Sequence, residues 1–372
     1  MKQRPQPKYS LRSRIALSGG VTLLLLFLAE LSLRALYYQR NSGHRCAIAQ
    51  YTLKLRDLLD PTQKSYVYFR PLYRSDPLLG YGCHPGRHDL GIQVRTLCGL
   101  RSRTWRFTAI LDEQGYRTTS SASSTEHSRP EIWLYGCSYT WGWPLNNEDT
   151  FPFLLQASAS DYTIRNFAGN GYGTVHALLH LRHELRHKAS RPLVVVVVYN
   201  QFHLKRNVAA PSTLREYRFV QGQMDFSGFQ HPRAELSGDG LLSFELVPLR
   251  PSDEPDPTAE YMEAVTIAIL DEIKDLCDTH AILPVLAVQS DVSFDRVTQH
   301  CSEVAYHVID MSLPWPLPNE YQLLPFDGHP NQAAHQQYAA MLLKGLKPIL
   351  DTKRLHKGFQ GQSALSSTTR GN

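Results

Sequence analysis

The sequence predicts an α/β protein built on a mostly parallel sheet covered by helices on both faces, with an N-terminal transmembrane helix and a small, partly β lead-in. Three observations predict it. From Glu131 onward, short apolar runs alternate with segments of helical periodicity. One of those runs, residues 193–199, contains five consecutive valines, the pattern of a central parallel strand buried on both faces. An uncharged apolar stretch, residues 15–29, follows a cluster of basic residues at the N-terminus.

The N-terminal elements follow from charge. Lys2, Arg4, Lys8, Arg12 and Arg14 precede the first acidic residue, Glu30, and account for the whole formal net charge of +5 on the 372-residue chain. The remainder balances, which removes the electrostatic footprint of a nucleic-acid binder. A content of 42% hydrophobic and 20% charged residues also excludes a fibrous or largely disordered chain. Residues 1–14 read as a basic cytoplasmic segment and residues 15–38 as a transmembrane anchor, since about 20 residues cross a bilayer. Glu30 and Arg34 stand one helical turn apart, and Arg34, Tyr37 and Tyr38 suit the lipid–water boundary. A cleaved signal peptide and a buried soluble helix are the rival readings, but no small-x-small cleavage site follows the apolar run. Positive charge ahead of the span orients the chain as a single-pass protein of the inner, cytoplasmic membrane, with everything beyond residue 40 periplasmic or extracellular.

Residues 39–130 form the lead-in, with turn signals at Asp76-Pro77, Gly80, Gly82, Pro85-Gly86 and Gly115, and a β-prone stretch at 105–111. The main domain is 131–350. Its expected strands are 132–135, 162–167, 193–199, 282–288 and 307–311, and its expected helices 174–189, 261–278 and 331–350. A polar insertion at about 211–257 contains β-prone pieces at 217–220 and 241–247, and residues 351–372, rich in Ser, Thr, Gln and Gly, read as a disordered tail. Cys46, Cys83, Cys98, Cys137, Cys277 and Cys301 lack the paired spacing of a zinc site. One or two disulfides are expected among them, with Cys83–Cys98 and Cys277–Cys301 the nearest pairs along the chain.

Four polar features follow strand candidates directly, and in a parallel sheet the carboxyl ends of strands share one ligand-binding edge. They are Gly136-Cys137-Ser138-Tyr139-Thr140-Trp141-Gly142, then the segment from Asn166 to Gly173, then Asn200, and finally Asp327-Gly328-His329-Pro330. Their chemistry is that of nucleophilic acyl transfer, which needs a hydroxyl, a histidine to take its proton, a carboxylate to orient the ring and donors for an oxyanion. Ser138 is the candidate nucleophile, His329 the general base and Asp327 its orienting acid. The N–H groups of Ser138 and Gly171 and the amide of Asn200 are the candidate oxyanion hole.

These residues resemble the SGNH or GDSL-type hydrolases. Gly136-Cys137-Ser138 with Thr140 and Gly142 is similar to the first family block, Gly171 after Asn166 to the second, Asn200 to the third, and Asp327 with His329 before a proline to the last. The stretch Asn146-Asn147-Glu148-Asp149-Thr150-Phe151-Pro152 is similar to the connection after the nucleophile in membrane-anchored members. The resemblance covers about residues 130–350. It implies a three-layer α/β/α, flavodoxin-like fold and an esterase or O-acyltransferase activity, through an acyl-serine intermediate, on acyl esters of a small molecule, an envelope glycan or a lipid; acetyl groups are one such acyl. No metal or organic cofactor is implied. Cys137 stands where the family has Asp, Val198 replaces a glycine, Gln201 replaces an Asp, and Asp327 to His329 is one residue shorter than the commonest spacing.

Rival readings remain open at this stage. The altered blocks suit a catalytically inactive glycan-binding or assembly subunit of the same fold, and Cys137 is an alternative nucleophile. His176, His180, His183 and His187 recur at helical spacing but read as a solvated face rather than a metal stripe, since no carboxylate or cysteine completes a site. The glycines at 169–173 lack a Walker lysine, which argues against a phosphate loop. Oligomeric state is not legible.

Overall fold

The computed structural model describes residues 18–30, 62–68, 71–96, 102–121, 129–187, 191–221, 228–250, 253–290, 296–314 and 317–367. The chain divides into two compact units, residues 1–64 with 94–103, and residues 65–93 with 104–372. In the first, residues 18–30 are helical and expose their apolar side chains, Leu23 to Leu28 included. Among the described residues no helix is long and apolar enough to cross a membrane. The rest of the expected span, residues 15–17 and 31–38, lies outside them.

The sequence predicts a partly β lead-in, and its described residues contain five strands. Strands β1 (Thr62–Tyr68), β4 (Gly86–Thr96) and β5 (Ser102–Leu111) form a three-stranded sheet in the order β1-β4-β5. Strands β2 (Tyr73–Asp76) and β3 (Gly80–Cys83) form an antiparallel pair. The turn between β2 and β3 is held by Asp76, whose Oδ1 accepts from the N–H groups of Leu78 and Leu79 at 2.8 Å each.

The main sheet contains β6 (Glu131–Tyr135), β7 (Thr163–Asn166), β8 (Val194–Tyr199), β11 (Leu283–Val288) and β12 (His307–Asp310), all parallel. Their spatial order is β12-β11-β8-β6-β7. Counted along the chain, that is the 2-1-3-4-5 order of a flavodoxin-like doubly wound sheet, and the order reverses between β6 and β8. A crevice opens beyond the carboxyl ends of the strands at such a reversal.

Period-two alternation assigns the faces. Val195 and Val197, with Trp133, Tyr135, Leu286 and Val288, belong to one core with helices α3 (Thr174–His187), α6 (Ala259–Thr279) and α7 (Arg296–Glu303). Val194, Val196 and Val198, with Ile132, Leu134, Val285 and Ala287, belong to the other, with α2 (Phe151–Ser158) and α8 (Gln332–Ser367). A run of valines therefore fills both cores from one strand, and the three-layer arrangement follows. Two short helices, α1 (Ser138–Trp141) and α4 (His203–Asn207), start just past β6 and β8.

Several expectations need correction. Residues 217–220 are helical, inside α5 (Pro211–Gln221), because Pro211 opens a segment whose β-branched content is low. The second β-prone piece is a strand, β10 (Leu242–Pro248), paired antiparallel with β9 (Gln230–Leu236). The backbone of α8 continues to Ser367 through most of the segment read as a disordered tail; a composition rich in Ser, Thr, Gln and Gly lowers helix propensity, but extending a helix already nucleated costs far less than starting one. Cys83, Cys137, Cys277 and Cys301 are buried as thiols outside any disulfide, so the Cys277–Cys301 pairing does not form; a buried cysteine fills space as a small side chain. Cys46 and Cys98 lie outside the described residues. His176 and His180 are buried, at 2% and 3% exposure, while His183 and His187 are exposed. The stripe is split because α3 buries a face wider than its leucines alone.

Candidate active site

The site begins where β6 ends. At Gly136 a Cβ would lie 2.2 Å from Thr140 Oγ1 and 3.2 Å from Val198 Cβ, so the chain can leave the sheet there only as glycine. Cys137 then takes the N-cap position of α1, and Gly142, at φ 90°, closes it. This turn sets Ser138 at the first position of α1, 6% exposed, beside the reversal of strand order.

Ser138 Oγ is 2.9 Å from His329 Nε2. On the other side of the ring, His329 Nδ1 is 2.5 Å from Asp327 Oδ1, and the His329 N–H donates to the same oxygen at 2.9 Å. The shortened Asp-x-His spacing thus still joins carboxylate to ring. A compact loop makes this possible: the Asp327 N–H donates to Leu323 O at 3.0 Å, and Leu323 N–H to His329 O at 3.1 Å. With Nδ1–H donating to the buried carboxylate, Nε2 is the acceptor that faces the serine hydroxyl. The ring itself is packed by Tyr139, centroids 5.4 Å apart.

The other predicted residues gather at the same edge. Asn200 follows β8 directly and is buried, and its Nδ2 donates to Gln289 Oε1 at 2.9 Å, leaving the second amide hydrogen uncommitted. Gly171 adopts φ +79°, and a Cβ there would meet Tyr217 and the Tyr81 hydroxyl at 2.6 Å. Among the described residues the backbone N–H groups of Ser138 and Gly171 donate to nothing. Asn166 ties the first and second blocks, its Nδ2 donating to Thr140 O at 3.1 Å and its Oδ1 accepting from the Ala168 N–H at 3.2 Å. The second block is also held from the lead-in: Tyr81 donates to Asn170 O at 2.7 Å, and Tyr172 to Tyr81 O at 2.6 Å.

Supporting residues lay outside the motifs. Arg117, 2% exposed, donates to Trp141 O at 3.0 Å, to Gly142 O at 2.8 Å, to Leu145 O and to Asn147 Oδ1 at 2.9 Å. Its guanidinium also stacks on Trp141 at 4.4 Å. Burial pulls its pKa down to about 9, with Glu148 the largest opposing influence. Among the described residues no carboxylate pairs with it; carbonyl oxygens of the turn after Ser138 solvate the charge instead. Gln289, at the end of β11, was equally invisible as a motif because a buried glutamine after a strand has no spacing signature.

Cys137 is fully buried, and the histidine hydrogen-bonds its neighbour Ser138 instead. His180 sits between two tyrosine hydroxyls, Tyr116 at 2.6 Å and Tyr135 at 3.1 Å. Burial holds His176 and His203 well below the usual histidine range and His231 at about 4, so these rings are neutral inside the core. His335, one turn into α8, is buried, accepts the Phe151 N–H at 3.0 Å and is pushed to about 3 by burial. Among the described residues no cluster of His, Cys, Asp or Glu is arranged to hold a metal ion.

No family model and no curated protein matches this chain. Solved structures do. One is the esterase EstA from Pseudoalteromonas, 13% identical over 59% of this chain and 98% of its own, with a TM-score of 0.36. Another is a member of the lipolytic G-D-S-L family from Veillonella parvula, 11% identical over 57% and 96%, TM-score 0.34. A third is a two-domain esterase active on acetylated mannans, 14% identical over 59% and 50%, TM-score 0.34.

Proposed function

We propose that the protein is a serine esterase or O-acyltransferase of SGNH type, acting on acyl esters of a small molecule, a glycan or a lipid. The observation that carries this reading is the continuous chain Ser138 Oγ, His329 Nε2, His329 Nδ1, Asp327 Oδ1 at 2.9 and 2.5 Å. In the proposed reaction His329 Nε2 takes the Ser138 proton as Oγ attacks the acyl carbon. The N–H groups of Ser138 and Gly171 and the free amide hydrogen of Asn200 receive the oxyanion. His329 then returns the proton to the departing alcohol oxygen, leaving an acyl-serine. A water or acceptor hydroxyl loses its proton to His329, attacks the acyl carbon and releases Ser138. Asp327 orients the ring and stabilises its positive charge throughout.

The proposal includes location. Residues 15–38 anchor the chain in the inner membrane and the catalytic domain lies outside the cytoplasm, supported by the basic residues ahead of the span and by a helix at 18–30 that exposes apolar side chains all round.

Labelling with a serine-directed fluorophosphonate tests the chemistry. Wild type is expected to label and Ser138→Ala not to. A folded wild type that stays unlabelled would favour the inactive glycan-binding or assembly subunit. Labelling lost in Cys137→Ala but kept in Ser138→Ala would assign the reaction to the thiol.

A further inference from the structure

Among the described residues one cation beside the site has no carboxylate within ion-pair distance. Arg206 lies in α4, which begins three residues after Asn200. Its Nη1 donates to Tyr172 O at 3.1 Å, one residue beyond Gly171. Its Cζ lies 4.3 Å from the Phe202 ring centre; Phe202 packs on Tyr139 at 5.6 Å, and Tyr139 on His329 at 5.4 Å. The guanidinium is thereby held between the oxyanion loop and the aromatic wall of the catalytic histidine.

Neighbouring basic side chains are paired. Lys205 reaches Asp256 at 2.9 Å, Arg233 reaches Glu235 at 3.1 Å and also Glu245, and Arg182 reaches Glu272. Among the described residues no carboxylate comes within 4.0 Å of Arg206. The acidic groups that act on it electrostatically are the Tyr217 hydroxyl first, then the Cys137 thiol and the Tyr81 hydroxyl, with the exposed Glu216 of α5 after them. Arg206 is itself only partly exposed, with its nitrogens not fully used by the chain. A half-buried guanidinium fork with donors to spare is shaped for a planar, two-oxygen anion.

We propose that Arg206 is a specificity residue that receives an anionic group, a carboxylate or a phosphate, carried by the substrate beside the scissile ester. This rests on the ester-chemistry reading above and deepens it: the substrate is an acidic acyl ester. Arg206 donates to the anion through the nitrogens that Tyr172 O leaves free, and the stacked Phe202 fixes the plane of the fork.

The experiment compares kcat/KM for O-acetylated glucose, glucuronate and glucose 6-phosphate in wild type, Arg206→Gln and Arg206→Lys, each checked for unchanged circular dichroism. Wild type is expected to prefer one acidic ester over the neutral one, and the choice between the two identifies carboxylate or phosphate. In Arg206→Gln that preference ratio is expected to fall by about 10- to 100-fold, as for loss of charge-assisted hydrogen bonds, mainly through KM. Arg206→Lys restores part of it. A wild type without the preference, or a ratio unchanged in Arg206→Gln, overturns the proposal and leaves Arg206 as a clamp on the Tyr172 carbonyl. If no ester is turned over, calorimetric titration with glucuronate and glucose 6-phosphate decides the same point: binding by wild type that weakens in Arg206→Gln upholds the subsite, and no binding to wild type overturns it. Absent fluorophosphonate labelling, by contrast, counts against the ester chemistry alone.

Discussion

Replacing Arg117 by methionine removes a cation buried among carbonyl groups and exposes how the turn after Ser138 is held. Two of its acceptors keep other donors: Gly142 O retains the Leu145 N–H at 2.9 Å, and Asn147 Oδ1 the Ile110 N–H at 3.0 Å. Trp141 O and Leu145 O lose the donor that Arg117 supplies. Two stranded buried carbonyls cost about 1–3 kcal/mol each. The lost stacking on Trp141 adds about 1 kcal/mol. Relief of a desolvated charge offsets part of this, so Arg117→Met is expected to destabilise the domain by about 3–5 kcal/mol. The assay is urea unfolding at pH 7 followed by tryptophan fluorescence, where the midpoint falls by about 1–2 M at unchanged slope. Fluorophosphonate labelling of the folded variant slows as well, because Ser138 rides on the same turn. A loss below about 1 kcal/mol would refute the reasoning, since it would mean the carbonyls find water once the guanidinium is gone.

Two further outcomes follow from the site and the core. Asp327→Asn keeps the shape of the loop but offers the wrong partner to Nδ1–H, so kcat on 4-nitrophenyl acetate is expected to drop on the order of 10³–10⁴-fold with stability nearly retained; a drop under tenfold would show that Asp327 does not orient the ring. Burial lowers His231 to about 4 and His335 to about 3, against about 6.5 in the unfolded chain. Below about pH 6.5 the unfolded state therefore binds protons that the folded state refuses, and stability falls with decreasing pH by about 1.4 kcal/mol per unit for each such histidine until the folded pKa is reached. Unfolding midpoints that stay level between pH 6.5 and 5 would contradict that assignment.

What could be read from the linear chain follows from local constraints. A parallel strand buried on two faces tolerates little but β-branched apolar residues, so the valine run announced the centre of the sheet, and the polar blocks after successive strands announced a common edge. That Ser138, His329 and Asp327 meet at one edge was legible because each sits on such a block, and the same holds for the placement of Gly171 and Asn200. The boundaries of β6, β7, β8, β11 and β12 moved by no more than two residues from expectation because turn residues punctuate them.

Other features depend on what a side chain meets from far along the chain. Arg117 lies in a polar lead-in and becomes a buried pillar only when the turn after Ser138 closes over it; Gln289 matters only because β11 lies beside β8. His176 and His180 share a helical face with leucines, and no pattern within α3 says how wide a face its partners will cover. Residues 217–220 carry strand-prone side chains, yet lie in a helix whose start is set by Pro211. Local sequence by itself determined the layers and the candidate residues at the sheet edge, since period and motif are properties of neighbours in the chain. Tertiary structure alone decided which cations lie buried, which histidines lose their charge, and that a loop of Asp-x-His could close the hydrogen-bonded chain, since desolvation and distance are properties of neighbours in space.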